Sequence, residues 1–442
     1  MIAGDTIAAI ATAPGRGGVA VVRVSGSEAL SIAVRLTGKG SKFQDASSKF
    51  QVLRLYSPQP ETSNLKPETF LDEAVVLLFK SPHSYTGEDV VEFQCHGGTV
   101  TPRRVLEACL AAGARLARRG EFTERAFLNG RLDYAQAESV LDLIDAKTAR
   151  AADAALEGLS GRRAREARAL YERALDLSTR IEHALDIDEG ELPDDFLPSV
   201  MSSVSRLKSS LREAVRRSAE GRLLKSGALV VLAGPPNAGK SSLLNALLDE
   251  NRAIVSDIPG TTRDSIEAWI DLGGWPIRLV DTAGIRESKD EVEGEGVKRS
   301  EELLSKADLV LWLGDPSSVS RLSSPVLKLH PKCDLGRGEG LNVSAKTGEG
   351  LDELKRAIVA KLEEKVVSSD DGDVPEGDVV AYHEALALLG EGHETGDVRR
   401  EEDLVLLANA VRAAAGRLGE AIGATYSSDM LDNLFSRFCV GK

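Results

Sequence analysis

The stretch that decides the fold is Ala228–Leu248, which reads ALVVLAGPPNAGKSSLLNALL. Its first six residues are a continuous apolar run, which is typical of a strand buried on both faces. The loop Gly234–Ser241 matches G-x-x-x-x-G-K-[ST], and three leucines then recur at helical spacing. A strand, a glycine loop and a helix in this order predict a P-loop, in which backbone N–H groups and the helix N-terminus bind phosphate oxygens.

Later segments indicate which nucleotide this loop binds. Ile258–Asp264 reads IPGTTRD and supplies a threonine in a switch-like loop. Two strands joined by a Gly-Gly turn then lead to the D-x-x-G segment Asp281–Gly284, which senses Mg²⁺ and the γ-phosphate. The aspartate that ends Pro331–Asp334 can accept two hydrogen bonds from guanine, which adenine cannot match. With Ser344–Lys346 after it, this order of elements predicts a GTPase.

Three features of this domain depart from the usual GTPase pattern. Pro331 stands where an asparagine normally bonds guanine, and proline offers neither an amide nor a backbone N–H. The connection Pro316–Ser324 is short for a parallel crossover, so we expect either a helix trimmed to a turn or an unusual strand order. Ile285 stands where a Ras-like enzyme uses glutamine to orient the attacking water. The acidic loop that follows either takes over that task or is simply solvated, and its candidates are Asp290, Glu291 and Glu293.

The 442-residue chain is acidic, with a formal net charge of −14. A chain of this length predicts about two to four domains. The charge disfavours broad electrostatic wrapping of nucleic acid by this chain alone, so RNA would need a local basic patch or a basic partner. The cysteines form no C-x-x-C pair, and we find no signal peptide and no apolar run of membrane-spanning length. These features predict a reduced, cytoplasmic protein that does not enter the membrane.

The first part of the chain, residues 1–120, predicts a mixed α/β domain. The stretch Gly38–Pro67 is rich in Ser, Lys and Gln and predicts mostly loop. The regular elements expected in this domain are strands at Val19–Ser25, Ala74–Phe79 and Asp89–Gln94 and a helix at Val105–Ala112.

Helical patterns then flank the nucleotide domain, which we place at residues 226–366. Before it, residues 121–225 carry one apolar face at Leu170, Ala174, Leu177, Ile181 and Leu185. After the acidic, linker-like segment Val366–Asp378, the helical pattern of residues 367–442 has a second face at Leu404, Leu407, Val411, Ala415, Leu418 and Ile422. Because a compact domain with adjacent ends can be inserted into another, we infer one discontinuous helical domain that carries an inserted GTPase.

Several further motifs carry a resemblance to a known family. The N-terminal part contains Asp5–Ala8, Pro14–Val19, Arg23–Gly26, Ser84–Glu92 and His96–Gly98. The stretch Gly120–Asp133, GEFTERAFLNGRLD, is followed by Gln136–Glu138, and the chain ends in Phe438–Lys442, FCVGK. Across essentially its whole length the chain resembles the tRNA-modification GTPases called MnmE or TrmE.

The resemblance implies a multidomain α/β plus all-α protein. An N-terminal α+β domain would bind formyl- or methylene-tetrahydrofolate and form a homodimer, and the discontinuous helical domain would carry the inserted Ras-like P-loop GTPase domain. With an FAD-dependent partner of the MnmG or GidA family, in a heterotetramer, such proteins add an aminomethyl-type group at carbon 5 of the wobble uridine of certain tRNAs. K⁺ at the interface of two G domains stimulates GTP hydrolysis in this family.

The resemblance also implies roles for individual residues. Folate would bind at Arg23, Glu92, Arg131 and Lys442, and Arg131 stands where a lysine is common. Mg²⁺ would be held by Ser241 and Thr262, and K⁺ by Asn237, Ser256, Ile258 and Thr261. The catalytic residues would be Glu293, which positions the water, with Lys240 and Thr262.

The whole GTP site would comprise residues from five segments, namely Asn237, Ala238, Gly239, Lys240, Ser241, Ser242, Ser256, Asp257, Ile258, Pro259, Gly260, Thr261, Thr262, Asp281, Thr282, Ala283, Gly284, Lys332, Asp334, Ser344, Ala345 and Lys346. Cys439 would lie near the folate end of the chain, where it has either a role in modification or the packing role of a small buried hydrophobe.

Two other functions compete with this one. A ribosome-assembly GTPase switch of the Era/Der type would share the P-loop and D-x-x-G, but it would lack Gly120–Asp133 and the Phe438–Lys442 tail. A nucleotide-binding scaffold with degraded catalysis would account for Pro331 and the short connection.

Overall fold

The computed structural model describes residues 5–38, 50–58, 69–186, 192–250, 267–282, 301–315, 324–368, 378–390, 401–422 and 428–442. The chain divides into two compact units, the first of which joins Met1–Leu141 to the C-terminal segment Thr425–Lys442. The second unit is Asp142–Ala424. The division into three domains derived from the sequence, one of them discontinuous, stays a prediction.

The regular elements of both units are numbered along the chain. The strands are β1 (Ile7–Ile10), β2 (Val19–Ser25), β3 (Phe50–Tyr56), β4 (Phe70–Phe79), β5 (Val90–His96), β6 (Arg115–Leu116), β7 (Ala228–Ala233), β8 (Glu267–Leu272), β9 (Trp275–Asp281), β10 (Leu309–Leu313), β11 (Val326–Pro331) and β12 (Leu341–Val343). The helices are α1 (Ala29–Thr37), α2 (Thr101–Ala111), α3 (Glu121–Leu128), α4 (Tyr134–Asp145), α5 (Ala149–Leu159), α6 (Arg162–Leu185), α7 (Phe196–Ser226), α8 (Lys240–Glu250), α9 (Leu351–Ser368), α10 (Asp378–Gly390), α11 (Glu401–Ile422) and α12 (Ser428–Ser436).

The first unit is built on a sheet with the strand order β3-β4-β5-β2-β1-β6. Its pairs are antiparallel except β1 with β6. Alternate residues of the strands, such as Val22, Val76 and Phe93, join Ile32 of α1 and Val105 of α2 in one core. This arrangement covers one face of the sheet with helices, as the alternating burial of β2 and β5 requires.

Four long helices of the second unit, α6, α7, α10 and α11, share one core. The predicted face of α6 is buried from Leu170 to Ile181, and the predicted face of α11 is buried from Leu404 to Leu418. The described side chains of these two faces lie in the same cluster, so the segments before and after the nucleotide domain do pack together.

The nucleotide part of the second unit is a sheet with the order β12-β11-β10-β7-β9-β8. All its pairs are parallel except the hairpin of β8 and β9. The hairpin turns at Gly273 and Gly274, whose φ angles of 60° and 87° suit glycine. Because β10 and β11 are adjacent and parallel, the expectation of an unusual strand order is wrong. Residues 316–323 of the connection lie outside the described residues.

Four sequence-based boundaries need correction. The stretch Gly38–Pro67 contains β3, whose alternating residues bury Leu53 and Leu55 within a polar composition. Strand β4 begins at Phe70 rather than Ala74, because the carboxylate of Asp72 is hydrogen-bonded within the fold. Helix α2 begins at Thr101, four residues before the predicted Val105, because a proline is accepted in the first turn of a helix. Helix α9 continues to Ser368, into the predicted linker.

Candidate functional site

The P-loop joins β7 to α8 through a backbone that favours glycine at two positions. Gly234 has a φ of 147°, and a Cβ there would overlap the carbonyl oxygen of Leu313. Gly239 has a φ of 96°, and between them Asn237 adopts a left-handed φ of 60°. The ammonium of the buried Lys240 folds back over this loop and donates to the carbonyl oxygens of Gly234 at 3.0 Å and Pro235 at 2.9 Å. The loop therefore has the closed, lysine-covered form that suits a phosphate chain.

The end of β9 meets the start of α8 beside this loop. The hydroxyl of Ser241 donates to Oδ2 of Asp281 at 2.6 Å. The hydroxyl of Thr282 donates to the carbonyl oxygen of Leu232 at 3.0 Å, which fixes the first two residues of the D-x-x-G segment against β7. A hydroxyl and a carboxylate are the hard oxygen donors that Mg²⁺ prefers, so these residues fit the ion.

The guanine-recognition segments converge on the same edge of the sheet. The hydroxyl of the fully buried Ser344 donates to Oδ1 of Asp334 at 2.7 Å. The ammonium of Lys332, a residue with a left-handed φ of 57°, donates to the carbonyl oxygen of Asn237 at 3.0 Å. Pro331 is the last residue of β11, opposite Val343. Beside the proline, Asp334 is therefore held by Ser344 and Lys332 is held against the P-loop at Asn237, which argues against a degraded site.

The remaining predicted GTP-site residues fall into two groups. Ala238 lies in the P-loop, Ser242 in the first turn of α8, and Ala345 and Lys346 in the turn after β12. Outside the described residues lie Ser256, Asp257, Ile258, Pro259, Gly260, Thr261, Thr262, Ala283, Gly284, Ile285, Asp290, Glu291 and Glu293. All the K⁺ and Mg²⁺ ligands, Asn237 and Ser241 included, and the water-positioning residue therefore stay predictions.

A second cluster of polar groups lies in the first unit, on β2 and β5. Arg23 and Glu92 are directly opposite each other in the strand register, and Nε of Arg23 donates to Oε1 of Glu92 at 2.8 Å. The guanidinium carbon of Arg23 lies 5.3 Å from the ring centroid of Tyr85 and 5.6 Å from that of Phe122. An ion pair bordered by two aromatic rings suits a flat, polar-edged ligand.

The C-terminal tail reaches this cluster. Phe438 is fully buried with Phe435 against α4, and Val440 forms an antiparallel bridge with Arg119. Gly441 has a φ of 106°, and its backbone lies so close to Ile10 that a Cβ would overlap the carbonyl oxygen there. The tail is thus packed against Arg119 and the end of β1 as far as Gly441.

Lys442 is half-buried at the end of this tail. Burial lowers the pKa of Lys442, and the positive charge of Arg23 lowers it further. Lys442 therefore lies within electrostatic range of Arg23, which is paired with Glu92, whereas Arg131 lies beside Gly87 in the neighbouring loop. Cys439 is exposed, so its interpretation as a buried hydrophobe is wrong.

Sequence reasoning missed the ion network that supports this cluster. The guanidinium of Arg125 donates to Oδ1 of Asp5 at 2.6 Å, to Oε2 of Glu88 at 3.1 Å and to Oε1 of Glu121 at 3.4 Å. Burial favours a raised pKa of Glu121, but the hydrogen bond and charge of Arg115 hold it below its ordinary value. The signal was present, because Glu121 and Arg125 belong to the quoted GEFTER motif. The network fixes α3, and with it Phe122, against the loop that carries Tyr85.

Tyr85 is the other residue that sequence reasoning missed. Its hydroxyl shares a 2.9 Å hydrogen bond with Thr123, and burial raises the pKa of the phenol. The phenol therefore stays neutral near pH 7 and borders Arg23 with an aromatic face. The SYTG segment that contains Tyr85 was the available signal.

Comparisons with known proteins cover both units. The family described as GTP-binding protein TrmE N-terminus matches residues 6–131, and the MnmE helical domain matches residues 134–439. A tRNA modification GTPase MnmE of Symbiobacterium thermophilum is 41% identical over 463 residues, which covers 99% of each chain. The proteins of that name from Heliobacterium modesticaldum and Nitrosomonas europaea are 41% and 40% identical, over 99% and 100% of this chain and 100% of each relative.

Among solved structures, the G domain of the T. maritima FeoB iron transporter is 25% identical over 30% of this chain and 98% of that one. Its TM-score of 0.22 is too low to support a structural argument. Among the described helices, none combines the length and the apolar character that crossing a membrane requires. On the family matches and the full-length identities, the chain belongs to the MnmE (TrmE) family of tRNA modification GTPases.

Proposed function

We propose that this GTPase takes part in modifying the wobble uridine of certain tRNAs. With an FAD-dependent partner of the MnmG or GidA family, it would add an aminomethyl-type group at carbon 5, with the one-carbon unit coming from a tetrahydrofolate. The relatives that match the whole chain are named tRNA modification GTPases. The observation that carries the proposal is the cluster of Arg23, Glu92 and Lys442, because GTP hydrolysis alone gives it no role.

The chemistry of this cluster fits a folate. The glutamate tail of a folate carries carboxylates, which are complementary to the cationic groups of Lys442 and Arg23. Since Arg23 lowers the pKa of Lys442, a bound carboxylate would offset the repulsion between the two. Glu92 would accept hydrogen bonds from the pterin N–H groups, and the rings of Tyr85 and Phe122 would border the flat ring system. We keep Arg131 as a fourth proposed ligand.

The nucleotide site would act by positioning and charge. Lys240 would exchange its two loop carbonyls for the β- and γ-phosphates, and Asp334, oriented by Ser344, would select guanine. Ser241 and Asp281 would hold Mg²⁺ together with Thr262, and the ion would neutralise charge on the phosphates. We propose Glu293 as the residue that positions the attacking water.

A K⁺ site belongs to the same proposal. Asn237 would be one ligand, and Ser256, Ile258 and Thr261 would complete the set. Asn237 lies within the phosphate loop and has a left-handed backbone, a position that favours a role beside the nucleotide. Potassium there would supply positive charge where an arginine finger acts in other GTPases.

A second copy of the chain is the proposed partner of the first unit. At the β3 edge of its sheet, Phe50 and Val52 are 64% and 65% exposed. They lie opposite Leu77 and Val75 of β4, and Phe70 adds a further exposed ring. An apolar face on an edge strand favours pairing with another chain, so a homodimer through this unit would cover it.

The Era/Der alternative explains the P-loop and the guanine-recognition segments equally well. That alternative offers no reason for a C-terminal tail that packs against the end of β1 and finishes in a half-buried lysine within electrostatic range of Arg23. We therefore favour the tRNA-modification function.

Calorimetric titration with 5-formyltetrahydrofolate tests this proposal. We expect binding by the full chain and loss of binding after deletion of Cys439–Lys442, with GTP hydrolysis largely intact. Cys439→Ser is the matched control, and we expect it to bind the folate as the unaltered chain does, because Cys439 is exposed. A truncated protein that binds at unaltered affinity would remove the tail from the site, and a full chain that does not bind would remove the folate function.

A further inference from the structure

Helix α7 concentrates positive charge in a chain whose formal net charge is −14. Its acidic residues are Glu213 and Glu220. Its basic residues are Arg206, Lys208, Arg212, Arg216, Arg217, Arg222 and Lys225. The helix therefore carries the kind of local basic patch that an acidic protein needs if it is to touch nucleic acid.

The two carboxylates of α7 are already occupied. Oε1 of Glu213 forms ion pairs with Nη2 of Arg216 at 2.7 Å and with Nε of Arg217 at 2.9 Å. The hydrogen bond from Arg216 lowers the pKa of Glu213 to about 2. Oε1 of Glu220 forms an ion pair with Nη2 of Arg150, on α5, at 2.6 Å. Neither acid is therefore left to neutralise the basic residues nearer the start of the helix.

The first half of α7, residues 196–212, contains serines and basic residues but no acid. Its exposed side chains recur at helical spacing and form one outward face, composed of Ser202, Ser205, Arg206, Ser209 and Arg212. We call these five residues the α7 basic face. It extends over eleven residues of helix, from Ser202 to Arg212, which is a rise of roughly 15 Å.

The charges of this face lack carboxylate partners within the described residues. Arg206 donates to the carbonyl oxygen of Ser202 at 3.4 Å and the hydroxyl of Ser203 at 3.2 Å, and no described carboxylate lies within ion-pair distance of Arg206, Lys208 or Arg212. Burial lowers the pKa of Lys208, which borders the face, and the charge of Arg212 lowers it further. Two cations that disfavour each other's charge would both be stabilised by an anion.

Helix α6 adds two more cations along its seam with α7. Arg180 donates to the hydroxyl of Ser199 at 3.1 Å, and Arg173 donates to that of Ser210 at 3.4 Å. A hydroxyl leaves the guanidinium charge uncompensated, whereas arginines elsewhere on α6, such as Arg162, pair with glutamates. Among the residues that the structure describes, no carboxylate pairs with Arg173 or Arg180, so further positive charge flanks the α7 basic face.

We infer that the α7 basic face binds the phosphodiester backbone of tRNA. This inference rests on the proposed function, which makes tRNA the substrate. Arginine, lysine and serine hydroxyls are the groups that contact nucleic-acid phosphates, and they read charge and spacing rather than sequence. The small serines between Arg206 and Arg212 leave the helix surface open, so a backbone can approach it closely.

Salt-dependent binding of tRNA to the full chain tests the inference. Each lost phosphate contact reduces the slope of log K against log [salt] by roughly 0.7 to 0.9. The triple variant R206Q/K208Q/R212Q should therefore lose roughly 2 to 3 units of slope. Between 50 and 200 mM NaCl, the difference in affinity between the unaltered chain and the variant should then shrink by roughly twentyfold to fortyfold.

A matched control removes the same charge elsewhere. Arg162, Arg412 and Arg417 are exposed but paired with glutamates, so R162Q/R412Q/R417Q should keep the unaltered slope. Circular dichroism and GTP turnover should be unchanged in both variants, which excludes misfolding as the cause of lost binding.

Three results would overturn the inference. The first is equal slopes in the two triple variants, which would leave the tRNA function standing but place the contact elsewhere. The second is unaltered tRNA binding combined with lost modification in cells, which would assign the face to an acidic partner protein. The third is an unaltered chain with no measurable tRNA binding, and the proposed function would then be judged separately from the nucleosides of cellular tRNA.

Discussion

Pro331→Asn is expected to tighten GDP binding. Asp334 keeps its hydrogen bond from Ser344 at 2.7 Å, and Lys332 keeps its bond to Asn237 at 3.0 Å. The proline therefore removes one side-chain amide and leaves its neighbours in place. One neutral hydrogen bond contributes about 0.5 to 1.5 kcal/mol, which is about a twofold to thirteenfold change in affinity.

Calorimetry on the full chain measures this effect, with Pro331→Ala as the control. Alanine restores the backbone N–H without the amide, so it separates the side chain from the release of the ring. We expect Pro331→Asn to bind GDP about twofold to thirteenfold more tightly than Pro331→Ala, and Pro331→Ala to stay close to the unaltered chain. If the Pro331→Asn variant binds GDP no more tightly than the Pro331→Ala variant, residue 331 at the end of β11 does not face the nucleotide.

Three other outcomes are expected. GTP turnover should be faster in KCl than in NaCl at equal ionic strength, because K⁺ would offset the charge that develops on the phosphates; equal rates would exclude the K⁺ site. Arg125→Ala should lower the free energy of unfolding by about 1.5 to 3 kcal/mol in urea titrations, because it removes charged hydrogen bonds to Asp5, Glu88 and the buried Glu121. Arg115 still pairs with Asp5 and Glu121, which limits the loss, and the exposed Arg103→Ala should change stability little. Thr148→Val should lower it by about 1 to 2 kcal/mol, because Thr148 caps α5 through the amide of Ala151 and donates to the carbonyl of Gly274 at 2.7 Å; Thr148→Ser should retain stability, and equal loss in both would contradict the capping role.

The nucleotide domain was the most predictable part of the fold. Strand β7 has the bounds expected from the sequence, because it is an unbroken apolar run at the centre of the sheet, between two parallel neighbours. The carboxyl ends of neighbouring parallel strands lie at one edge of the sheet. Once the strand order is known, the hydrogen bonds of Ser241 with Asp281 and of Ser344 with Asp334 at that edge are therefore expected.

The first unit was less predictable, because its site depends on pairings between distant segments. Arg23 and Glu92 meet only if β2 and β5 pair in one register, and a slip of one residue would turn one of them to the other face. The partners of Arg125 are separated from it by up to 120 residues in the sequence, so no local sequence pattern predicts these ion pairs. Strand β3 was missed because the polar composition around it concealed a short alternation of buried and exposed residues.

The central claim is that the GTP site and the folate site of this chain are both needed for wobble-uridine modification. The most direct measurement is nucleoside analysis of tRNA from a strain that lacks the chain, complemented in turn with the unaltered protein, with Lys240→Ala and with the deletion of Cys439–Lys442. We predict that the carbon-5 modification disappears from the strain, returns with the unaltered protein and does not return with either variant. Full modification in the strain without the chain, or its restoration by both variants, would contradict the account.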